Sequence, residues 1–105
     1  MIEFESACEW IDALVALSKA PATTPEELAE WYRRAVRLMR VRIKEKVEVE
    51  TPEIIWHYLS DADIRAKEPE YKEWQTRDFD NAIATMKTAL AVKRAHHGEG
   101  GRSRP

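Results

Sequence analysis

The chain has very little of the residues that build covalently cross-linked or metal-stapled folds. Cys8 is the single cysteine among 105 residues, so neither an intrachain disulfide nor a cysteine zinc cluster can form. No apolar run approaches the roughly 18 residues that a membrane helix needs, and the first residues lack the basic and apolar segments of a signal peptide. We therefore expect a cytoplasmic protein that is neither secreted nor inserted in a membrane.

Glycine is also scarce, and its distribution is uneven. All three glycines lie at positions 98–101, in a terminal stretch without apolar residues, which predicts a disordered tail over residues 97–105. The remainder is rich in residues that build a core: 44% of the chain is hydrophobic, and it holds four Trp, three Tyr and two Phe. This composition predicts one folded domain over residues 1–96.

Neither sign of charge predominates over the whole chain, since the formal net charge is only −2. The charges nevertheless come in blocks: residues 1–30 are acidic, 31–46 basic, 47–80 acidic and 81–105 basic. Helices that pack side by side can neutralise one another when their charges alternate in this way. The overall charge therefore indicates neither a nucleic-acid-binding protein nor an acidic tail.

The longest periodic segment begins at Thr24. A Thr side chain can cap a helix, Pro25 suits the first helical position, and Glu27 can reach back to the cap, so these residues predict a helix start. The spacing of the apolar residues predicts one continuous helix over residues 25–48. Its apolar side would hold Leu28, Trp31, Tyr32, Ala35, Val36, Leu38, Met39, Ile43 and Val47.

The end of this second helix has an alternative. Val41, Ile43, Val47 and Val49 alternate with charged residues, which is a pattern typical of a strand. We prefer the helix because its apolar stripe continues without interruption and no partner strand is evident elsewhere.

Three further helices follow from similar signals. Ser6 and Glu9 predict a first helix over residues 7–19, and Thr51 with Pro52 begins a short third helix, which can continue as one further turn near residues 64–66. Pro69 opens a last helix over about residues 70–95. The predicted fold is all-α: a small bundle of about four helices, two long and two short, with a disordered C-terminal tail.

The first candidate site is a basic face on the second helix, opposite its apolar side. It consists of Arg33, Arg37, Arg40 and Lys44 and spans about 16 Å on a continuous helix. Such a stripe can bind an acidic protein or several phosphates of a nucleic acid, or it can be solvated and paired with nearby glutamates. No nucleic-acid-binding motif accompanies it.

The second candidate site is an excess of aromatic residues near the third helix. Trp56, Tyr71 and Trp74 exceed what a core of this size requires, and such residues are enriched in protein interfaces. Core packing is the alternative. We take this group as the interface hypothesis.

Catalytic and metal sites have weaker support. His57 and Asp61 are spaced to share a helix face, with Asp63 close by, but no nucleophile and no second histidine at metal spacing accompanies them. A hydrogen bond from His57 to Asp61 that orders the helix end is the simpler expectation. We expect no metal and no cofactor.

These patterns predict a non-catalytic protein–protein interaction or regulatory module. A homodimer would also be consistent with them. Its compact, intracellular character fits a small accessory protein of a bacterial or phage system. The first alternative is a nucleic-acid-binding protein that uses the basic face and the basic tail. The second is a small all-α enzyme centred on His57, Asp61 and Asp63.

Overall fold

The computed structural model describes the backbone of residues 2–44 and 49–102, and the side chains of 4–40, 43, 44 and 49–95. Helix α1 spans Ala7–Ser18, close to its predicted range. The Ser6 hydroxyl accepts from the Glu9 amide at 3.3 Å, as a helix cap should. The Glu9 carboxylate accepts from the amide of Glu5 at 2.8 Å, so the start of α1 is held from both sides.

Helix α2 spans Pro25–Met39 and begins with the predicted capping box. The Glu27 amide donates to Thr24 Oγ1 at 3.1 Å, and the Thr24 amide donates to the Glu27 carboxylate at 3.2 Å. The amides of Thr23 and Thr24 both donate to the Glu27 carboxylate, and these hydrogen bonds hold the pKa of Glu27 below its ordinary value.

The prediction of one helix over residues 25–48 is wrong, because α2 ends at Met39. Strand β2, Val41–Ile43, follows and pairs in parallel with strand β1, Ile2–Phe4. The partner strand is the N-terminal segment, which is too short to be evident from its sequence pattern. Residues 45–48, which include Val47 of the predicted apolar side, lie outside the described part of the chain.

The C-terminal half contains three helices: α3 over Glu53–Ser60, α4 over Ala62–Lys67 and α5 over Pro69–Arg102. Pro52 precedes α3 as its N-cap residue, without a side-chain cap. The backbone of α5 continues beyond the predicted end near residue 95. The tail predicted to be disordered thus begins within α5, and residues 103–105 lie outside the described residues.

All five helices contribute to one apolar core, and the prediction of an all-α bundle is confirmed. The parallel β1–β2 pair is a small addition at one end of it. In the described part of the chain, no helix combines the length and apolar character needed to cross a bilayer. The most deeply buried large side chains come from three of the helices, α1, α3 and α5: Ile11, Leu14, Leu17, Ile55, Leu59, Gln75, Phe79 and Met86.

Candidate functional site

The predicted basic face does not lie on one helix. Arg33 and Arg37 are on α2, Arg40 is its C-cap, and Lys44 follows β2. Arg33 pairs with Glu30, and Lys44 Nζ lies 3.0 Å from a carboxylate oxygen of Glu5. The four basic residues therefore do not form a straight stripe along a single helix. The exposed guanidinium groups of Arg37 and Arg40 make no ion pair with any described carboxylate.

The three aromatic residues predicted to form an interface separate into two groups. Trp56, on α3, contacts buried Trp10, with their ring centroids 6.1 Å apart. Tyr71 and Trp74, on α5, contact each other at 5.6 Å. Trp56 and Trp74 are 37% and 46% exposed, so both keep a large part of their indole rings available to a partner.

Val36 and Met39 in the last two turns of α2 and Trp56 on α3 are exposed apolar residues, and we group them as the α2–α3 patch. The indole Nε1 of Trp10 donates to the carbonyl of Leu38 at 3.1 Å while its ring contacts Trp56, which places Trp56 beside the last turn of α2. Val36 and Met39 are 43% and 37% exposed in the same two turns.

The orientation of α2 against α3 supports this arrangement. The hydroxyl of Tyr32 contacts the carbonyl of Ser60 at 3.2 Å, at the far end of α3. The two helices therefore run antiparallel. Val36 and Met39 follow Tyr32 by four and seven residues on one helix face. That face is toward the N-terminal part of α3, where Trp56 lies.

The predicted hydrogen bond from His57 to Asp61 does not form. His57 is exposed, and its Nε2 lies 3.9 Å from a carboxylate oxygen of Glu53. Asp61 accepts instead from Tyr71 and Gln75, and Asp63 accepts from the hydroxyl of Tyr32 at 2.8 Å. That hydrogen bond holds the pKa of Asp63 below its ordinary value. Among the described residues, no group of three His, Cys, Asp or Glu side chains is placed to hold a metal ion.

A buried arginine that the sequence did not predict lies at the centre of the helical junction. Arg65, on α4, is 7% exposed, and its guanidinium carbon lies 3.7 Å from the ring centroid of Tyr58 and 5.1 Å from that of Trp31. Such stacking stabilises a cation away from water. Its Nη1 donates to the carbonyl of Tyr58, near the C-terminus of α3, where a cation is also favoured by the helix dipole. Burial lowers the pKa of Arg65 and raises that of Tyr58.

Gln75, on α5, connects this arginine to a carboxylate. Its Oε1 accepts from Arg65 Nη1 at 2.6 Å, and its Nε2 donates to Asp61 Oδ2 at 2.9 Å. An amide suits this position because a guanidinium only donates and a carboxylate only accepts. Tyr71 completes the network by donating its hydroxyl to Asp61 at 2.7 Å, which raises the pKa of Tyr71.

The network borders a cleft between the α1–α2 loop and the α4–α5 turn, which we call the Arg65 cleft. Its volume is about 490 Å³, and residues 18–23 form one wall. Trp31, Tyr58 and Arg65 line its inner part, and Lys72 and Thr76 of α5 form the opposite wall. This volume is in the range of small-molecule sites, roughly 300–1,000 Å³.

One position in the sequence does indicate this network. Gln75 occupies a stripe position of α5, four residues after Tyr71 and four before Phe79, where an apolar residue is expected. A polar residue at such a position indicates a buried hydrogen-bonded partner. Nothing comparable marks Arg65, because α4 is too short for a periodic pattern.

Comparison with known proteins does not add a family. The chain matches no protein-family model, and neither a curated protein nor a solved structure has significant similarity to it. Function is therefore inferred from the geometry of the α2–α3 patch and of the Arg65 cleft.

Proposed function

We propose that this chain is a non-catalytic interaction module that binds another protein through the α2–α3 patch. The observation that carries the proposal is the exposure of Val36 and Met39 in the last turns of α2 and of Trp56 on the adjacent helix α3, beside Arg40, which makes no ion pair with a described carboxylate. A Trp and a Met beside Arg side chains are a composition enriched in protein interfaces.

The charges around the patch define the partner. Arg40 is the C-cap of α2 and directly follows Met39, so an apolar contact at the patch brings the partner close to its guanidinium group, whereas Arg37 lies in the groove between α2 and α1. Carboxylates on the partner would pair with Arg40, whereas a basic surface would be repelled. The expected partner is a protein with an apolar centre and an acidic rim.

The non-catalytic assignment is supported by the surroundings of the candidate catalytic residues. His57 is exposed beside Glu53, and Asp61 and Asp63 accept hydrogen bonds from tyrosine and glutamine side chains. Acids held in this way stabilise helix ends rather than act on a substrate. Placement in the cytoplasm is part of the same proposal and rests on the single cysteine.

A matched pair of variants tests the proposal. Val36→Glu places a carboxylate in the patch, and Val92→Glu makes the same change at a 62% exposed site on α5. Wild type and both variants are used as immobilised baits in extracts of the native host, and bound proteins are identified by mass spectrometry. We expect a partner that is retained by wild type and by Val92→Glu but lost by Val36→Glu, and whose binding also weakens with Arg40→Glu.

Two further measurements separate the other outcomes. Light scattering detects self-association, and a dimer that dissociates only in Val36→Glu makes a second copy the partner. Nuclease treatment and increasing salt identify the nucleic-acid alternative, because phosphate contacts weaken steeply with salt. Equal retention of every protein by wild type and Val36→Glu, with a monomeric chain, would contradict the proposal.

A further inference from the structure

Toward the described residues, Arg65 hydrogen-bonds through one of its three side-chain nitrogens. Nη1 makes both of its hydrogen bonds, to Tyr58 and Gln75, and none joins Nε or Nη2. Within the described part of the chain, no buried side-chain nitrogen is without a partner. Nε and Nη2 therefore reach solvent, although the residue is 7% exposed.

Nε and Nη2 reach solvent in the Arg65 cleft, because Arg65 is among the residues that line this cleft. Nε and one Nη of a guanidinium present two parallel N–H groups. This edge matches the two oxygens of a carboxylate and binds them as a pair. The stacked ring of Tyr58 and the hydrogen bonds at Nη1 hold that edge in one orientation.

The positive charge at this edge is not paired. No described carboxylate lies within 4.0 Å of the guanidinium nitrogens, and the nearest network carboxylate, Asp61, acts through Gln75. Lys19 and Lys72, at the mouth of the cleft, likewise make no ion pair with a described residue, and no acidic residue lines the cleft. A buried cation without a direct counter-ion is costly, so an anion that enters the cleft is favoured.

We propose that the Arg65 cleft binds the carboxylate group of a small organic acid or of a peptide. The carboxylate would accept from Nε and Nη2 of Arg65, and Lys72 would add attraction at the entrance. The site is separate from the α2–α3 patch: Trp31, in the cleft, precedes Met39, in the patch, by eight residues, about 12 Å along α2.

A carboxylate fits better than a phosphate for two reasons. The fixed donor edge offers two N–H groups, which suit two oxygens in one plane, whereas a phosphate needs several more donors to replace its water. The walls include Ala20, Pro21, Ala62 and Trp31, which suit an apolar body attached to the charged group. These features indicate an acid with an aliphatic or aromatic body.

Benzoate, benzamide and inorganic phosphate are the probes that distinguish these chemistries. Benzamide has the shape of benzoate without the charge, and phosphate has the charge without the apolar body. Binding is followed by NMR through the Arg65 Nε–H and the Trp31 indole N–H signals. We expect saturable shifts with benzoate and affinity lower by about tenfold or more with benzamide, because hydrogen bonds to charged groups are the stronger ones.

Variants connect the binding to this site. Lys72→Ala should weaken benzoate by about two- to fivefold, as expected for a partly exposed charge, and Lys67→Ala, outside the cleft, should have no effect. Arg65→Lys keeps the charge but removes the paired donors and should abolish saturation while urea unfolding reports whether the fold persists. If Arg65→Lys does not fold, the Lys72→Ala variant and the comparison of benzoate with benzamide still test whether the cleft binds a carboxylate.

Peptides identify the source of the carboxylate. A short peptide that binds with a free C-terminus but not with an amidated one indicates a peptide terminus, whereas benzoate binding without peptide binding indicates a free organic acid. Both outcomes support the proposal. Equal shifts with benzoate and benzamide, phosphate binding in place of benzoate, or no saturable shift at Arg65 would overturn it.

Discussion

Nη1 of Arg65 lies 2.6 Å from Oε1 of Gln75, and both side chains are buried in a core that is otherwise apolar. This contact joins α4 to α5. Through the second end of the amide it also reaches Asp61, at the α3–α4 junction. Gln75 thus connects α5 to α4 and to the α3–α4 junction. Replacing it would remove both hydrogen bonds.

Replacing Gln75 by Leu should be strongly destabilising even though leucine is apolar and similar in size. Arg65 and Asp61 would each lose one of two hydrogen bonds, keeping those to Tyr58 and Tyr71, and each lost hydrogen bond to a charged group costs about 1–3 kcal/mol. We expect the free energy of unfolding to fall by about 2–4 kcal/mol in urea titrations. The control Asn81→Leu, at an exposed position of α5, should stay within about 0.5 kcal/mol of wild type. Similar values for the two variants would contradict this role of Gln75.

Removing the hydroxyl of Tyr32 should change the titration of Asp63. The hydrogen bond from Tyr32 lowers the pKa of Asp63 from its ordinary value of 3.8, so in Tyr32→Phe that pKa should rise toward 3.8. The sign for stability follows from linkage: the folded-state pKa is depressed, so this contribution is complete above the ordinary pKa and is lost as pH falls through the lower folded value. NMR titration of the Asp63 carboxyl carbon measures the shift, and an unchanged pKa in the variant would count against the contact.

The two contacting tryptophans near the α2–α3 patch should differ in their contribution to stability. Trp10 is 4% exposed and donates to the Leu38 carbonyl, so Trp10→Phe leaves that carbonyl without its donor. We expect a loss of about 1–3 kcal/mol for Trp10→Phe in urea unfolding. Trp56→Phe, at a partly exposed ring, should change stability by about 0.5 kcal/mol or less. The reverse order would show that the patch supports the fold rather than a partner.

The parallel strand pair can be tested at Lys44, which contributes both a backbone and a side-chain contact. Its amide donates to the carbonyl of Phe4 at 2.9 Å, and its ammonium pairs with Glu5. Lys44→Pro removes both contacts and should cost about 1–3 kcal/mol through the lost amide hydrogen bond. Lys44→Ala keeps the amide hydrogen bond and removes the exposed ion pair with Glu5, so it should cost about 1 kcal/mol or less. Equal losses in the two variants would mean that the strand pair contributes little.

Local signals in the sequence were enough to predict most of the helical fold. Both capping sequences, at Ser6 and Thr24, mark true helix starts, because a cap depends on side chains within one turn. The end of α2 could not be predicted in the same way. Val41 and Ile43 leave the helix because they pair with Ile2 and Phe4, and no local pattern reports a pairing so distant in the chain.

The candidate site was predicted less well, for a related reason. Trp56 and Arg37 were evident because exposed aromatic and basic residues are conspicuous in a helical pattern. The position of Arg65 depends on Trp31, Tyr58 and Gln75, which belong to three other helices. An arginine of a short helix is exposed by default, so only the assembled fold reveals it as a buried one.

The parallel strand pair also bears on how the chain folds. Ile2 pairs with Val41, 39 positions later, so forming this ladder closes a long loop and loses much chain entropy. Helices α1 and α2 lie within that loop, and their docking brings its ends together beforehand. The ladder is therefore expected to form after the helical hairpin and to open first when the native state fluctuates, with α1 and α2 remaining packed.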